Sequence, residues 1–194
     1  MIVDMSFIPD GISGSWAIQT YEVPKEDLSQ FISMFKTGRG VPGGVYKRLI
    51  RNKQVVMSNT PDEIRDFYHL TIVAKGSILI NGLGLGCLVK VLLDKPEVEK
   101  ITVIEKSEDV IKLVAPYFKD ERLTIIQADA FEYKPPKEEK YNFVWHDIWD
   151  NICADNLEGM SKLHRKYGKK TEWQDSWARQ SCKRQRQENK RYFW

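Results

Sequence analysis

Residues 77–86, Ser77-Ile78-Leu79-Ile80-Asn81-Gly82-Leu83-Gly84-Leu85-Gly86, decide the fold. A short apolar run without alternation predicts a strand buried on both faces. The glycines at every second position then allow a tight strand-to-helix turn, and they allow a ligand to approach the backbone. The helix CLVKVLLDK follows over 87–95. The same rhythm recurs downstream. ITVIE over 101–105 is a second buried strand, followed by a helix over 107–118. LTIIQA over 123–128 is a third strand, and YNFVWHD over 141–147 is a fourth. Strands alternating with helices predict parallel pairing with right-handed crossovers.

Upstream, SWAIQTYEV over 15–23 alternates as a strand does, and 25–36 places Leu28, Phe31, Ile32 and Phe35 on one helical face. Gly38, Gly40, Pro42, Gly43 and Gly44 then break the chain. VYKRLI and KQVVMS around Arg51-Asn52 predict a hairpin. Thr60-Pro61-Asp62-Glu63 reads as a helix start with Thr60 as cap, Pro61 in the first turn and Glu63 completing a capping box. Downstream, 153–168 predicts a helix with Cys153, Leu157, Met160 and His164 on one face. Residues 172–190 predict a second, polar helix with Trp173 and Trp177 one turn apart, and no fifth apolar strand is expected. The expected organisation is an N-terminal β/helix segment (1–60), a cofactor-binding core (61–152) and a helical, basic C-terminal segment (153–194). The fold class is α/β, with a Rossmann-like, mostly parallel sheet that is shortened at its C-terminal side.

The chain of 194 residues is 42% hydrophobic, enough for a core and too much for a wholly disordered chain. No apolar run is long enough for a membrane span, and no secretory signal is visible. Three well-separated cysteines, Cys87, Cys153 and Cys182, suggest a reducing, cytoplasmic setting with neither a disulfide frame nor a zinc site. Residues 161–194 hold eleven Lys/Arg and three acids, a net +8 that leaves −5 for the first 160 residues. Such a tail suits nucleic acid, although a solvated terminal helix has the same composition. A four-strand sheet also leaves an edge that a homodimer would cover.

Ligands of open parallel sheets bind outside the carboxyl ends of the strands. Four features fall there. Gly82, Gly84 and Gly86 form the first turn, where packing of helix on strand alone would also call for glycine. Glu105 ends the second strand 23 positions beyond Gly82, near the offset of an acid that accepts from ribose hydroxyls; the bland reading is a solvated acid. Asp129, beside Ala130 and Phe131, is placed to read an adenine amino group or to close an Asx-turn. Asp147 and Asp150, in Asp147-Ile148-Trp149-Asp150, can hold a cationic amine or act as general base; the alternative is one cap and one exposed acid. Trp145 and Trp149 would shape a pocket or fill the core. His146 is a weaker base, its side chain opposite to those of Trp145 and Asp147.

The glycine spacing is G-x-G-x-G, not the dinucleotide G-x-G-x-x-G, which disfavours an NAD domain. From about Val45 to Leu157 the chain resembles the class I S-adenosylmethionine-dependent methyltransferases, closest to the spermidine synthase-like branch. Arg51-Asn52-Lys53-Gln54, Ser58, Asp62-Glu63 and Tyr68-His69 resemble the stretch that precedes the glycine turn in that branch. Asn81–Gly86, Glu105, Ala128-Asp129-Ala130 and the Asp147/Asp150 pair follow in order. The resemblance implies a methyltransferase-like fold with a small N-terminal β-hairpin segment, and S-adenosylmethionine as cofactor. It implies cofactor-binding Gly82, Gly84, Gly86, Glu105, Asp129 and Ala130, catalytic Asp147 and Asp150, and an approach of His69 to the pocket. The acceptor is unidentified. Leu85 stands where the polyamine enzymes carry an Asp, and Asn151 where they carry Pro. The alternatives are an aminopropyltransferase or a non-catalytic, nucleic-acid-associated member of the fold.

Overall fold

The computed structural model describes residues 2–25, 32 and 40–191. The helix expected over 25–36 therefore falls almost wholly outside the described residues. The chain divides into two compact units, each discontinuous in sequence.

The first unit takes Met1–Val73, Gly84–Asp94 and Glu108–Lys119. It carries an antiparallel sheet of four strands, β1 (Gly11–Ser13), β2 (Trp16–Val23), β3 (Gly44–Arg51) and β4 (Gln54–Ser58), in that spatial order. The hairpin between β3 and β4 forms as expected, one residue later than the sequence suggests. Asn52 and Lys53 both have positive φ, 49° and 69°, the pair of left-handed residues that a two-residue turn needs. The expected helix beyond Thr60 is two helices, α1 (Pro61–Asp66) and α2 (Tyr68–Val73), interrupted at Phe67. Thr60 sits at the cap position but makes no capping bond; its hydroxyl pairs with that of Ser58 at 2.9 Å. The short helices α3 (Cys87–Leu93) and α4 (Glu108–Val114) complete the unit. Helix α4 packs on β1 and β2, with Ser13 Oγ donating to Asp109 at 2.6 Å.

The second unit takes Ala74–Leu83, Lys95–Ser107 and Asp120–Trp194. Its strands are β5 (Gly76–Asn81), β6 (Val98–Glu105), β7 (Leu123–Gln127), β8 (Tyr141–His146) and β9 (Thr171–Ser176). They form one wholly parallel sheet in the order β7-β6-β5-β8-β9. The fold is thus α/β with a Rossmann-like parallel sheet and a separate antiparallel one. Helix α5 (Asn156–Tyr167) precedes β9, and α6 (Arg179–Arg191) follows it. The core of this unit gathers Leu79, Ile104, Ala130, Tyr141, Val144, Leu163 and Tyr167.

Strand β9 corrects the sequence reading, which has no fifth strand and a helix from 172. Trp173 stacks flat against Trp145 with ring centroids 6.4 Å apart and planes 3° apart, and also meets Phe143. The helix that follows begins only at Arg179. Among the described residues no helix is long and apolar enough to cross a membrane.

Candidate functional site

The central strand β5 has β6 on one side and β8 on the other, so the chain order reverses between β5 and β8. That is the switch point at which open α/β sheets bind ligands. Successive strand ends are joined there by the backbone. Gly82 N–H donates to Ile104 O (2.8 Å), Ala128 N–H to Glu105 O (3.0 Å) and Asp147 N–H to Asn81 O (2.7 Å). Gly82, Glu105, Asp129, Ala130 and Asp147 therefore lie at the carboxyl ends of adjacent strands of one sheet.

Gly82 has φ 102°, and a Cβ there would lie 1.9 Å from the main-chain oxygen of Asp147. Its glycine is demanded by the neighbouring strand end. Gly84 (φ 53°) and Gly86 (φ 79°) belong to the first unit, and both answer to side chains in that unit. A Cβ at Gly84 would meet Met57 Sδ at 2.2 Å, and one at Gly86 would meet the Phe118 ring at 2.7 Å. Leu85 N–H donates to the same Met57 sulfur at 3.0 Å, and the Leu85 side chain is fully buried.

Glu105 closes β6 half-buried. Its Oε2 accepts from Leu83 N–H at 2.9 Å and its Oε1 from Ser107 N–H at 2.8 Å. The two amides fix the carboxylate at the turn after β5. Each oxygen keeps a further lone pair to accept from another donor.

Asp129 uses Oδ1 to accept from Phe131 N–H at 2.8 Å, closing the Asx-turn that the sequence admits. Its Oδ2 is paired with Lys106 Nζ at 2.8 Å. The Lys106 ammonium, and after it the Phe131 amide, hold the Asp129 carboxyl below the ordinary carboxylate range. Lys106 has no counterpart in the sequence reading; it is marked only by following Glu105. Ala130 is buried, and its carbonyl accepts from Lys166 Nζ at 2.9 Å.

Asp147 is half-buried and Asp150 exposed. Trp145 is a core residue, buried against Trp173, and Trp149 is partly buried and packs against Leu157, Met160 and Cys182. His69 is exposed on α2, in the first unit.

His146 is fully buried and belongs to a polar network invisible in the sequence. Gln174 Nε2 donates to His164 O at 2.9 Å, which leaves Gln174 Oε1 to accept from His146 Nε2–H at 3.2 Å. His146 Nδ1 is then bare and accepts from Asn81 Nδ2 at 2.8 Å. Burial, above all, pushes the His146 imidazole down to about 3. It is a neutral positioning group that orients Asn81, directly before Gly82. The proton-accepting role considered for it does not fit a ring nitrogen already committed to Asn81.

No protein-family model matches the chain. Polyamine aminopropyltransferases of Buchnera aphidicola subsp. Acyrthosiphon pisum, strains Tuc7 and 5A, are each 32% identical to it over 101 residues. The match covers 46% of this chain and 35% of the relative, so the chain spans about a third of the length of these proteins. Among solved structures it is similar to spermidine synthase from Thermotoga maritima, at 20% identity and a TM-score of 0.47 over 84% of this chain and 52% of that one. It is likewise similar to the CcbJ methyltransferase from Streptomyces caelestis, at 17% identity and a TM-score of 0.44 over 56% and 43%. Over those 101 residues the chain resembles polyamine aminopropyltransferases in its sequence.

Proposed function

We propose that the carboxyl end of the parallel sheet binds S-adenosylmethionine and that the chain is a methyltransferase. The observation that carries this is Glu105, clamped by the Leu83 and Ser107 amides at the end of β6, with acceptor capacity to spare. A carboxylate so fixed can take both hydroxyls of a ribose. The residues present fit the nucleoside. Ala130 is a small, buried neighbour at the next strand end, and Asp129 can accept from an adenine amino group when Lys106, 78% exposed, swings into water.

When bound, the sulfonium supplies an activated methyl group. The chain's own residues align the acceptor. Asp147, half-buried next to the Gly82 turn, holds the acceptor's nucleophilic nitrogen or oxygen and takes its proton. Asp150, three residues on and exposed, is placed to receive a cationic part of the acceptor. Positioning, with one proton transfer, is what a displacement of this kind asks of a protein.

The 32% identity to polyamine aminopropyltransferases favours a second reading, aminopropyl transfer from decarboxylated adenosylmethionine. Against it stands Leu85, buried and apolar where those enzymes carry an acid. Calorimetric titration with the two sulfonium compounds decides. Tighter binding of S-adenosylmethionine, lost in Glu105→Ala and Asp129→Ala, supports methyl transfer. Tighter binding of the decarboxylated compound supports aminopropyl transfer, and binding of neither ends both readings.

A further inference from the structure

Helix α6 is assembled from charge without an apolar face. Of its thirteen residues, Arg179-Gln-Ser-Cys-Lys-Arg-Gln-Arg-Gln-Glu-Asn-Lys-Arg191, only Cys182 is buried. Arg179, Lys183, Arg186 and Lys190 stand at i, i+4, i+7 and i+11. At 3.6 residues per turn these positions fall within about 60° of arc, a straight row about 16 Å long. Like charges at this spacing repel and weaken the helix. The neighbouring structure offsets little of that. Arg179 has a partner in Asp175 at 3.3 Å. Among the described residues Lys183, Arg186 and Lys190 form no ion pair, and Glu188 lies on the opposite side of the helix. The row is felt inside the unit as well: burial first, then the charges of Arg179 and Lys183, depress the His164 imidazole.

We infer that this row is a docking surface for the phosphate backbone of a nucleic acid. Its charge is complementary to a line of phosphates, and the amides of Gln180, Gln187 and Asn189 beside it can hydrogen-bond phosphate and sugar oxygens. An anionic membrane fits less well. A surface-bound helix needs a leucine or aromatic face to insert, and α6 has none. The contacts are to the backbone, so binding is indifferent to base sequence and strongly salt-dependent. The inference is independent of the methyltransferase reading.

The test is fluorescence anisotropy of the full chain with a labelled 20-nucleotide single-stranded RNA, and with DNA duplex of the same sequence, from 50 to 200 mM salt. Four backbone contacts predict a slope of log K against log salt of about −3 on the single strand. The variant Lys183→Gln/Arg186→Gln/Lys190→Gln should weaken binding at least tenfold and flatten the slope by about 2. The pair Arg184→Gln/Arg191→Gln, on another side of the helix, should flatten it less. S-adenosylmethionine titration of the triple variant should be unchanged, which keeps this inference separable from the catalytic one. Circular dichroism identifies any variant that fails to fold, and Arg186→Gln alone then replaces it. No binding at 50 mM salt, an unaltered slope in the folded triple variant, equal competition by polyglutamate of matched charge, or tighter binding to phosphatidylserine vesicles would each overturn it.

Discussion

The α-carbon of Gly82 faces the main-chain oxygen of Asp147 so closely that a Cβ at 82 would stand 1.9 Å from it. The contact lies between the ends of β5 and β8, at the switch point, and both partners are backbone. At Gly84 the obstacle is of another kind, the tip of the flexible Met57 side chain at 2.2 Å.

Gly82→Ala should therefore destabilise the protein by about 3 kcal/mol or more, combining left-handed strain with a clash that neither strand can relieve alone. Gly84→Ala should cost less, about 1–2 kcal/mol, and Met57→Ala in the same chain should recover part of that loss. Urea denaturation of the three variants checks this. Equal costs at 82 and 84, or no rescue by Met57→Ala, would show the clashes to be misassigned.

Stability should fall with acid well above the carboxylate range. The His146 imidazole is held at about 3 in the fold against an ordinary 6.5, so the unfolded chain takes up a proton first as pH drops. The full contribution is present above pH 6.5 and is lost progressively toward pH 3. Between pH 7 and pH 5 the loss from this group is about 2 kcal/mol. Protonation would set an Nδ1–H against the Asn81 amide donor, with His164, Lys166 and Tyr167 around the ring. The loss should shrink markedly in His146→Gln. An identical pH profile in that variant would place the acid sensitivity elsewhere.

Lys106→Ala should leave the fold intact and free Asp129 Oδ2. The carboxyl at 129 then moves back up toward its ordinary value, and adenosyl-ligand affinity rises severalfold, since no ammonium has to be displaced. Asp129→Asn should lower affinity. Titration calorimetry of both variants is decisive: weaker binding in Lys106→Ala would mean that the lysine itself contacts the ligand.

Gln174→Leu should cost about 1–3 kcal/mol, because it strands His146 Nε2–H in a dry environment. Thermal denaturation would report it, and a neutral outcome would mean that His146 takes the other tautomer.

Strands β5, β6 and β8 are legible in the sequence because each holds a short, mostly apolar run, Ile78–Ile80, Ile101–Ile104 and Phe143–Trp145, and the turn after β5 carries its glycines openly. The acids at positions 105 and 129 are legible for a related reason: Glu105 follows its apolar run directly, and Asp129 stands two residues beyond the end of β7. Strand β9 is not. Thr171-Glu-Trp-Gln-Asp-Ser176 reads as polar because Gln174 and Ser176 face His146 and His164, so hydrogen bonds take the place of apolar burial. Trp173 and Trp177, four apart, then imitate a helical turn. The polar network at 81, 146 and 174 is illegible because its members are distant in sequence and each is unremarkable alone. The pairing of Lys106 with Asp129 spans 23 positions and has no local signature.

The position of β9 at the rim of the sheet also sets an order of assembly. On a growing polypeptide the central strand and both of its neighbours leave the ribosome well before residue 174. Until that residue arrives the imidazole between β8 and α5 lacks its outer acceptor, so the orientation of Asn81 is secured only after the strands on both sides of β5 are complete.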